Sequence, residues 1–161
     1  MKKLMILGAG VYQVPLIQRA KEKGLYTIVV SIPGNYPGFE LADKIYYENT
    51  TDCEKILKIA QEEKIDGIVT AGTDVAVVTV GKVCDAMNLC GISYEAAQIS
   101  GDKLLMKDQY EKHGVRTAKY RKIFFADKDI EEKISELAQP LIFKAVDSSG
   151  SRGIIRVDDL S

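Results

Sequence analysis

The opening thirty-one residues leave few folds open. Residues 3–7 (KLMIL) form a short apolar run that stops at Gly8-Ala9-Gly10. A run of that length between breakers reads as a strand. From about Val14 to Lys23 the spacing predicts a helix, with Pro15 suited to its first turn and Gly24 to the position just past its end. Residues 27–31 (TIVVS) are β-branched and continuous, as in a strand covered on both faces. Strand, glycine loop, helix and strand in this order make a right-handed crossover unit, which commits the chain to a parallel sheet flanked by helices.

The pattern continues downstream. Residues 32–39 (IPGNYPGF) hold two prolines and two glycines and read as a surface loop. A helical turn and a strand over 44–47 follow. Thr51-Asp52-Cys53-Glu54 fits a capping box and opens a helix to about Lys64. Cys53, Ile56, Leu57 and Ala60 share one face of it, so Cys53 reads as a core residue. Residues 67–70 (GIVT) are the next strand, and a helix runs from about Val75 to Asn88, with Asp74 as its N-cap. One or two helical turns fall over 94–99. After Gly114 the expected order is a strand over 119–125 (KYRKIFF), a helix over 129–137 with Ile130, Ile134 and Leu137 on one face, and two further strands.

Composition narrows the function. The 46% hydrophobic and 28% charged content suits a folded globular chain. The net charge of −1 offers no general basic footprint for nucleic acid. No apolar run approaches the ~20 residues of a membrane-spanning helix, and residues 4–7 are too short for the core of a signal peptide. Cys53, Cys84 and Cys90 are odd in number and lack CxxC spacing, and His113 is the single histidine. Neither a zinc site nor a disulfide framework is expected, and a reducing cytoplasm is the default setting.

In an open parallel sheet, ligands sit beyond the carboxyl ends of the strands. That edge gathers Gly8, Gly10, Val11 and Gln13 with Gly72, Thr73 and Asp74, the candidate substrate-binding residues. Asp74 either caps its helix or holds a substrate amine or hydroxyl. The glycines either admit a ligand to a helix N-terminus or merely make a tight turn. A dinucleotide site is disfavoured: Gln13 stands where GxGxxG has its third glycine, and Ser31 where an acidic residue would hold the ribose.

The most pointed chemistry lies at residues 140–157 (PLIFKAVDSSGSRGIIRV). Two short apolar runs flank a Ser/Gly loop that is longer than a tight hairpin needs. Small side chains let backbone N–H groups approach an anion, and Lys144 at the loop's base adds a compact positive charge. A phosphate grip and a solvated surface hairpin both fit these residues.

Proline, apolar residues, lysine and a Gly/Ser-rich loop resemble the phosphate-binding hairpin of ATP-grasp enzymes. Ser100-Gly101-Asp102-Lys103 agrees: it starts a helix that runs to His113 and stops at Gly114, like the family's "DK" element (DKLLMKDQYEKHGVRTAKY here), about forty residues before Lys144. The resemblance covers essentially the whole chain and looks nearest to the carbamoyl phosphate synthase large-subunit and carboxylate–amine ligase branch. It implies a Rossmann-like parallel-sheet pre-ATP-grasp domain over 1–92, linker helices over 93–114, and over 115–161 the start of an α+β lid subdomain.

The resemblance further implies ATP as cosubstrate. Lys103 and Lys144 would contact phosphates or the purine edge. Ser148, Ser149, Gly150, Ser151 and Gly153 would fold donors over the distal phosphates, with Arg152 either clamping a phosphate or solvated. The implied reaction activates a carboxylate as an acyl phosphate for attack by an amine, both small molecules, and a homodimer is allowed. Magnesium ligands are expected beyond Ser161, so the chain reads as an inactive N-terminal part of a longer ligase. A non-catalytic small-molecule-binding domain and a nicotinamide-dependent oxidoreductase are the alternatives.

Overall fold

The computed structural model describes residues 1–148 and 150–159. Its contacts divide the chain into two units, Met1–Gly101 and the residues from Asp102 onward. The division falls inside the stretch expected to be linker.

The first unit is built on four parallel strands, β1 (Lys3–Leu7), β2 (Tyr26–Ser31), β3 (Lys44–Tyr47) and β4 (Gly67–Thr70), in the order β3-β2-β1-β4. Connecting them are α1 (Val14–Glu22), α2 (Cys53–Glu63) and, after β4, α3 (Val77–Met87) and α4 (Tyr94–Gly101). The central strands alternate strictly. Met5, Leu7, Ile28 and Val30 join Ile56, Ala60, Val80 and Val83 in one cluster, while Ile6 and Val29 join Ile17 and Ala20 in a second cluster. Both faces of the sheet are therefore covered, which explains why the central strands read as continuous apolar runs. Each fully buried Ile, Leu or Val contributes roughly 1.5–3 kcal/mol. Helices α3 and α4 cross closely at Gly81, where a Cβ would come within 2.8 Å of the Ala97 side chain.

At the amino-terminal edge of this sheet one carboxylate gathers three partners. Glu63, at the end of α2, is buried and accepts from Lys3 Nζ at 3.1 Å and Tyr46 Oη at 2.5 Å, and it pairs with Lys44. Hydrogen bonds from Lys44, then Tyr46, hold its carboxyl down at about 2, and Lys44 is raised in turn. Asp43 is likewise lowered to about 2, chiefly by Lys21 at 2.6 Å and the Thr27 backbone N–H at 2.8 Å.

The second unit contains α5 (Lys103–Lys112), α6 (Ile130–Ser135) and an antiparallel pair, β5 (Leu141–Lys144) and β6 (Ile154–Val157), in the register Lys144↔Ile154. The hairpin expected at 140–157 is present.

Four local expectations are corrected. Asp52, not Thr51, caps α2, accepting from Lys55 N at 3.2 Å, because the Thr51 hydroxyl is turned onto Asn49 Oδ1 at 2.9 Å. Asp74 does not cap α3: the helix starts at Val77 with Ala76 as N-cap, and Asp74 offers only its backbone carbonyl to Val77 N. Residues 119–125 form no strand, having no ladder partner among the described residues. They are tied down by side chains instead, Lys122 Nζ to Asp108 at 2.6 Å and Tyr120 Oη to Asp108 at 3.2 Å, with Arg121 pairing to Glu136. Cys53 is half-buried, its Sγ 3.3 Å from Thr79 Oγ1.

Candidate functional site

In the second unit, Asp102 fixes the start of α5. Its carboxylate accepts from Leu104 N at 2.7 Å and Leu105 N at 3.0 Å, satisfying two amides that the helix leaves without a partner. Lys103 is the first residue past this cap. Its backbone N–H donates to Val146 O at 3.3 Å, and its ammonium donates to Val146 O at 3.2 Å and Ser148 O at 2.6 Å. Two residues widely separated in sequence are thus one hydrogen bond apart. An ammonium carries three donors, so one remains for a further acceptor.

The loop beyond is held at its neck by Ala145 N donating to Gly153 O at 3.0 Å. Gly150, Ser151 and Gly153 all have positive φ, at 65°, 61° and 66°. For Ser151 this is a left-handed conformation a side chain rarely takes. Runs that pass through such angles turn successive N–H groups toward one side, the concavity that accepts anions. Lys144, at the end of β5, is exposed and has no hydrogen-bond or ion-pair partner among the described residues. Arg152 is exposed. Ser149 lies outside the described residues. His113 is the C-cap of α5.

In the first unit, the residues expected at the carboxyl edge fall on two loops, after the neighbouring strands β1 and β4. Gly8 follows β1 with φ of +100° and donates to Val30 O at 2.8 Å. Gln13 is 5% exposed, and its amide nitrogen donates to Ala71 O, just past β4. Its side chain lies against the glycines: a Cβ on Gly8 would sit 2.9 Å from Gln13 Cδ, and one on Gly10 3.3 Å from Oε1. Gln13 therefore fills the hollow in which a pyrophosphate would rest in a dinucleotide site. Gly72, at φ of +64°, is overlain by Tyr12, whose Cβ would lie 2.5 Å from an added methyl. Val11, Gly72 and Asp74 are exposed and Thr73 is half-buried. On the other side of the sheet, at β3, Tyr36, Phe39 and Tyr47 stack edge-to-face, with ring centroids 5.8 and 5.2 Å apart.

The expectations missed Tyr12, the carbonyls of Val146 and Ser148, and this aromatic row. A large amide in place of the third glycine was the one available sign that the loop is filled. Among the described residues no group of three or more His, Cys, Asp or Glu side chains could hold a metal ion. No helix among them is long and apolar enough to cross a membrane.

No family model matches the chain. Among curated proteins, it is 30% identical over 166 residues to the phosphoribosylamine–glycine ligase of Caulobacter vibrioides, covering 99% of this chain and 38% of that one. Among solved structures, phosphoribosylglycinamide synthetase from Anaerococcus prevotii superposes with a TM-score of 0.78 at 32% identity, over 99% of this chain and 39% of that chain. N5-carboxyaminoimidazole synthetase from Staphylococcus aureus, solved with ADP, gives a TM-score of 0.82 at 19% identity over 99% and 42%, a likeness of fold. The chain spans between about a quarter and two fifths of the length of the first curated relatives it matches. Such matches run through both units, the glycine-loop sheet and the lysine-anchored hairpin alike. Along nearly its whole length the chain is similar to ligases of the ATP-grasp superfamily.

Proposed function

We propose that this chain forms the acceptor-holding sheet and the phosphate-gripping hairpin of an ATP-dependent carboxylate–amine ligase. The observation that carries the reading is the Lys103 ammonium, seated on the carbonyls of Val146 and Ser148 at the foot of the Ser/Gly loop. Bound ATP would supply a phosphoryl group that converts a carboxylate into an acyl phosphate open to an amine. The chain's residues contribute position and charge to that chemistry, which dominate phosphoryl transfer. The remaining Lys103 donor and the exposed Lys144 ammonium neutralise phosphate oxygens. Backbone N–H groups of Gly150, Ser151 and Gly153 close over them, with Ser148 and Ser149 hydroxyls and the Arg152 guanidinium as further donors. Gly8, Gly10, Val11, Gln13, Gly72, Thr73 and Asp74 hold the acceptor at the sheet edge. The 161-residue chain is expected to bind nucleotide without turning it over.

Calorimetric titration of the chain with ATP tests this. Saturable binding that Lys144→Ala weakens about tenfold or more, the worth of one charged hydrogen bond, supports the reading. Binding of equal strength in both proteins, or none in either, contradicts it. A merely small-molecule-binding domain would give no nucleotide response that depends on Lys144.

A further inference from the structure

Apart from Met1, every large hydrophobic side chain exposed in the first unit lies at the carboxyl edge of its sheet. Val11 and Tyr12 follow β1, Ile32 follows β2, Tyr47 ends β3 and Val75 follows β4. Isolated exposed apolar residues need no explanation, but a set gathered at one edge does.

The charges there are equally one-sided. Residues 8–13, 31–39, 47–52 and 70–76 contain no Lys, Arg or His, but they do contain Glu48, Asp52 and Asp74. Lys55 pairs with Glu48 at 3.3 Å and with Asp52 at 3.6 Å. Asp74 is exposed, and its carboxylate has no hydrogen-bond or ion-pair partner among the described residues. The lysines that meet the sheet itself, Lys3 and Lys44, open their strands and so lie at the opposite edge.

Gln13 sets the polarity of the loop. A backbone carbonyl can only accept, so the amide nitrogen must face Ala71 O, and Oε1 is left toward the glycines. The buried polar group presented to the Gly8–Gly10 hollow is thus an acceptor. It suits an N–H donor and repels a phosphate oxygen.

Resting on the ligase reading above, we infer that the acceptor edge takes an unphosphorylated amine with an apolar body, not a phosphoribosyl compound. The ammonium lies between Asp74 and the Gln13 carbonyl oxygen. Tyr12, which overlies Gly72, supplies an aromatic face, which attracts both an apolar body and a cation. A phosphate ester would meet the Gln13 carbonyl oxygen as an acceptor, and the four loops carry no lysine, arginine or histidine of their own.

The test is an NMR titration of the full 161-residue chain with L-phenylalaninamide, 3-phenylpropionate and ribose 5-phosphate in turn. Phenylalaninamide is expected to shift the amides of residues 10–13 and 72–76 saturably, and the other two to leave them unmoved. Asp74→Asn, at an exposed position where folding is not at stake, should weaken phenylalaninamide about twofold to fivefold, as loss of an exposed ion pair does. Saturation of this edge by ribose 5-phosphate overturns the inference. So does equal response to 3-phenylpropionate, indifference to Asp74→Asn, or no response to any probe. A parallel ATP titration read at residues 146–153 separates this outcome from failure of the ligase reading, which concerns the other unit.

Discussion

The Lys103 ammonium donates to the carbonyl oxygen of Ser148 at 2.6 Å, across 45 residues of sequence. Together with the 3.2 Å bond to Val146 O, it ties the start of α5 to the first residues of the hairpin loop. Lys103→Ala removes both bonds, leaving only the 3.3 Å backbone link to Val146 O. Amide exchange over residues 146–153 should then quicken while the β1–β4 amides keep their protection. Nucleotide affinity should fall by about tenfold or more, since a charge-assisted hydrogen bond is worth about 1.5–3 kcal/mol. Unchanged exchange in the loop would show that Lys103 does not hold it.

Lys144 should behave oppositely with respect to stability. It is exposed and unpartnered among the described residues, so Lys144→Ala should leave the unfolding free energy within about ±0.5 kcal/mol. A thermal melt checks this. A large loss of stability would mean that the lysine serves the hairpin itself.

Stability should depend on pH through Glu63 and Asp43. Both carboxyls are lowered to about 2 in the folded protein, from 4.5 and 3.8. A depressed carboxyl stabilises fully above its unfolded value and loses that contribution as pH falls through the folded value. Urea midpoints should therefore be level above about pH 5 and decline between about pH 4.5 and 2. Glu63→Gln should cost about 1–3 kcal/mol at pH 7, because it leaves Lys44, Lys3 and Tyr46 around a neutral amide, and it should flatten the acid limb. An acid limb identical in the variant would assign the effect elsewhere.

Gly72 is the position at the sheet edge least open to change. An added methyl would meet Tyr12 Cβ at 2.5 Å on a backbone already at φ of +64°. Gly72→Ala should lower stability by about 1–2 kcal/mol or displace Tyr12. Thermal melts, with Tyr12→Ala/Gly72→Ala as the relieving double variant, separate the two causes.

The parallel sheet was legible because its signals are strong and local. Buried central strands must be apolar throughout, and Pro15 and Gly24 bracket α1. What was not legible depends on which side chain wins a shared partner. Thr51 and Asp52 both suit an N-cap, and only the position of Asn49 decides between them. Residues 119–125 carry strand-like composition, but a strand needs a neighbour, and the described residues supply none. At the candidate site, the spacing of Lys103 and the Ser/Gly loop is visible in the sequence, and the structure joins Lys103 to the loop through Val146 O and Ser148 O. Tyr12 over Gly72 is not visible there, because that contact joins two loops brought together only by the sheet order.

The central claim is that Lys103 and the Ser/Gly hairpin hold nucleotide phosphates. Its most direct test is an amide-resolved NMR titration of the chain with ATP. The account predicts saturable shifts at Lys103 and over residues 146–153, lost in Lys103→Ala and Lys144→Ala. Shifts confined to residues 8–13 and 72–76, or a hairpin that ATP leaves unmoved, would contradict it.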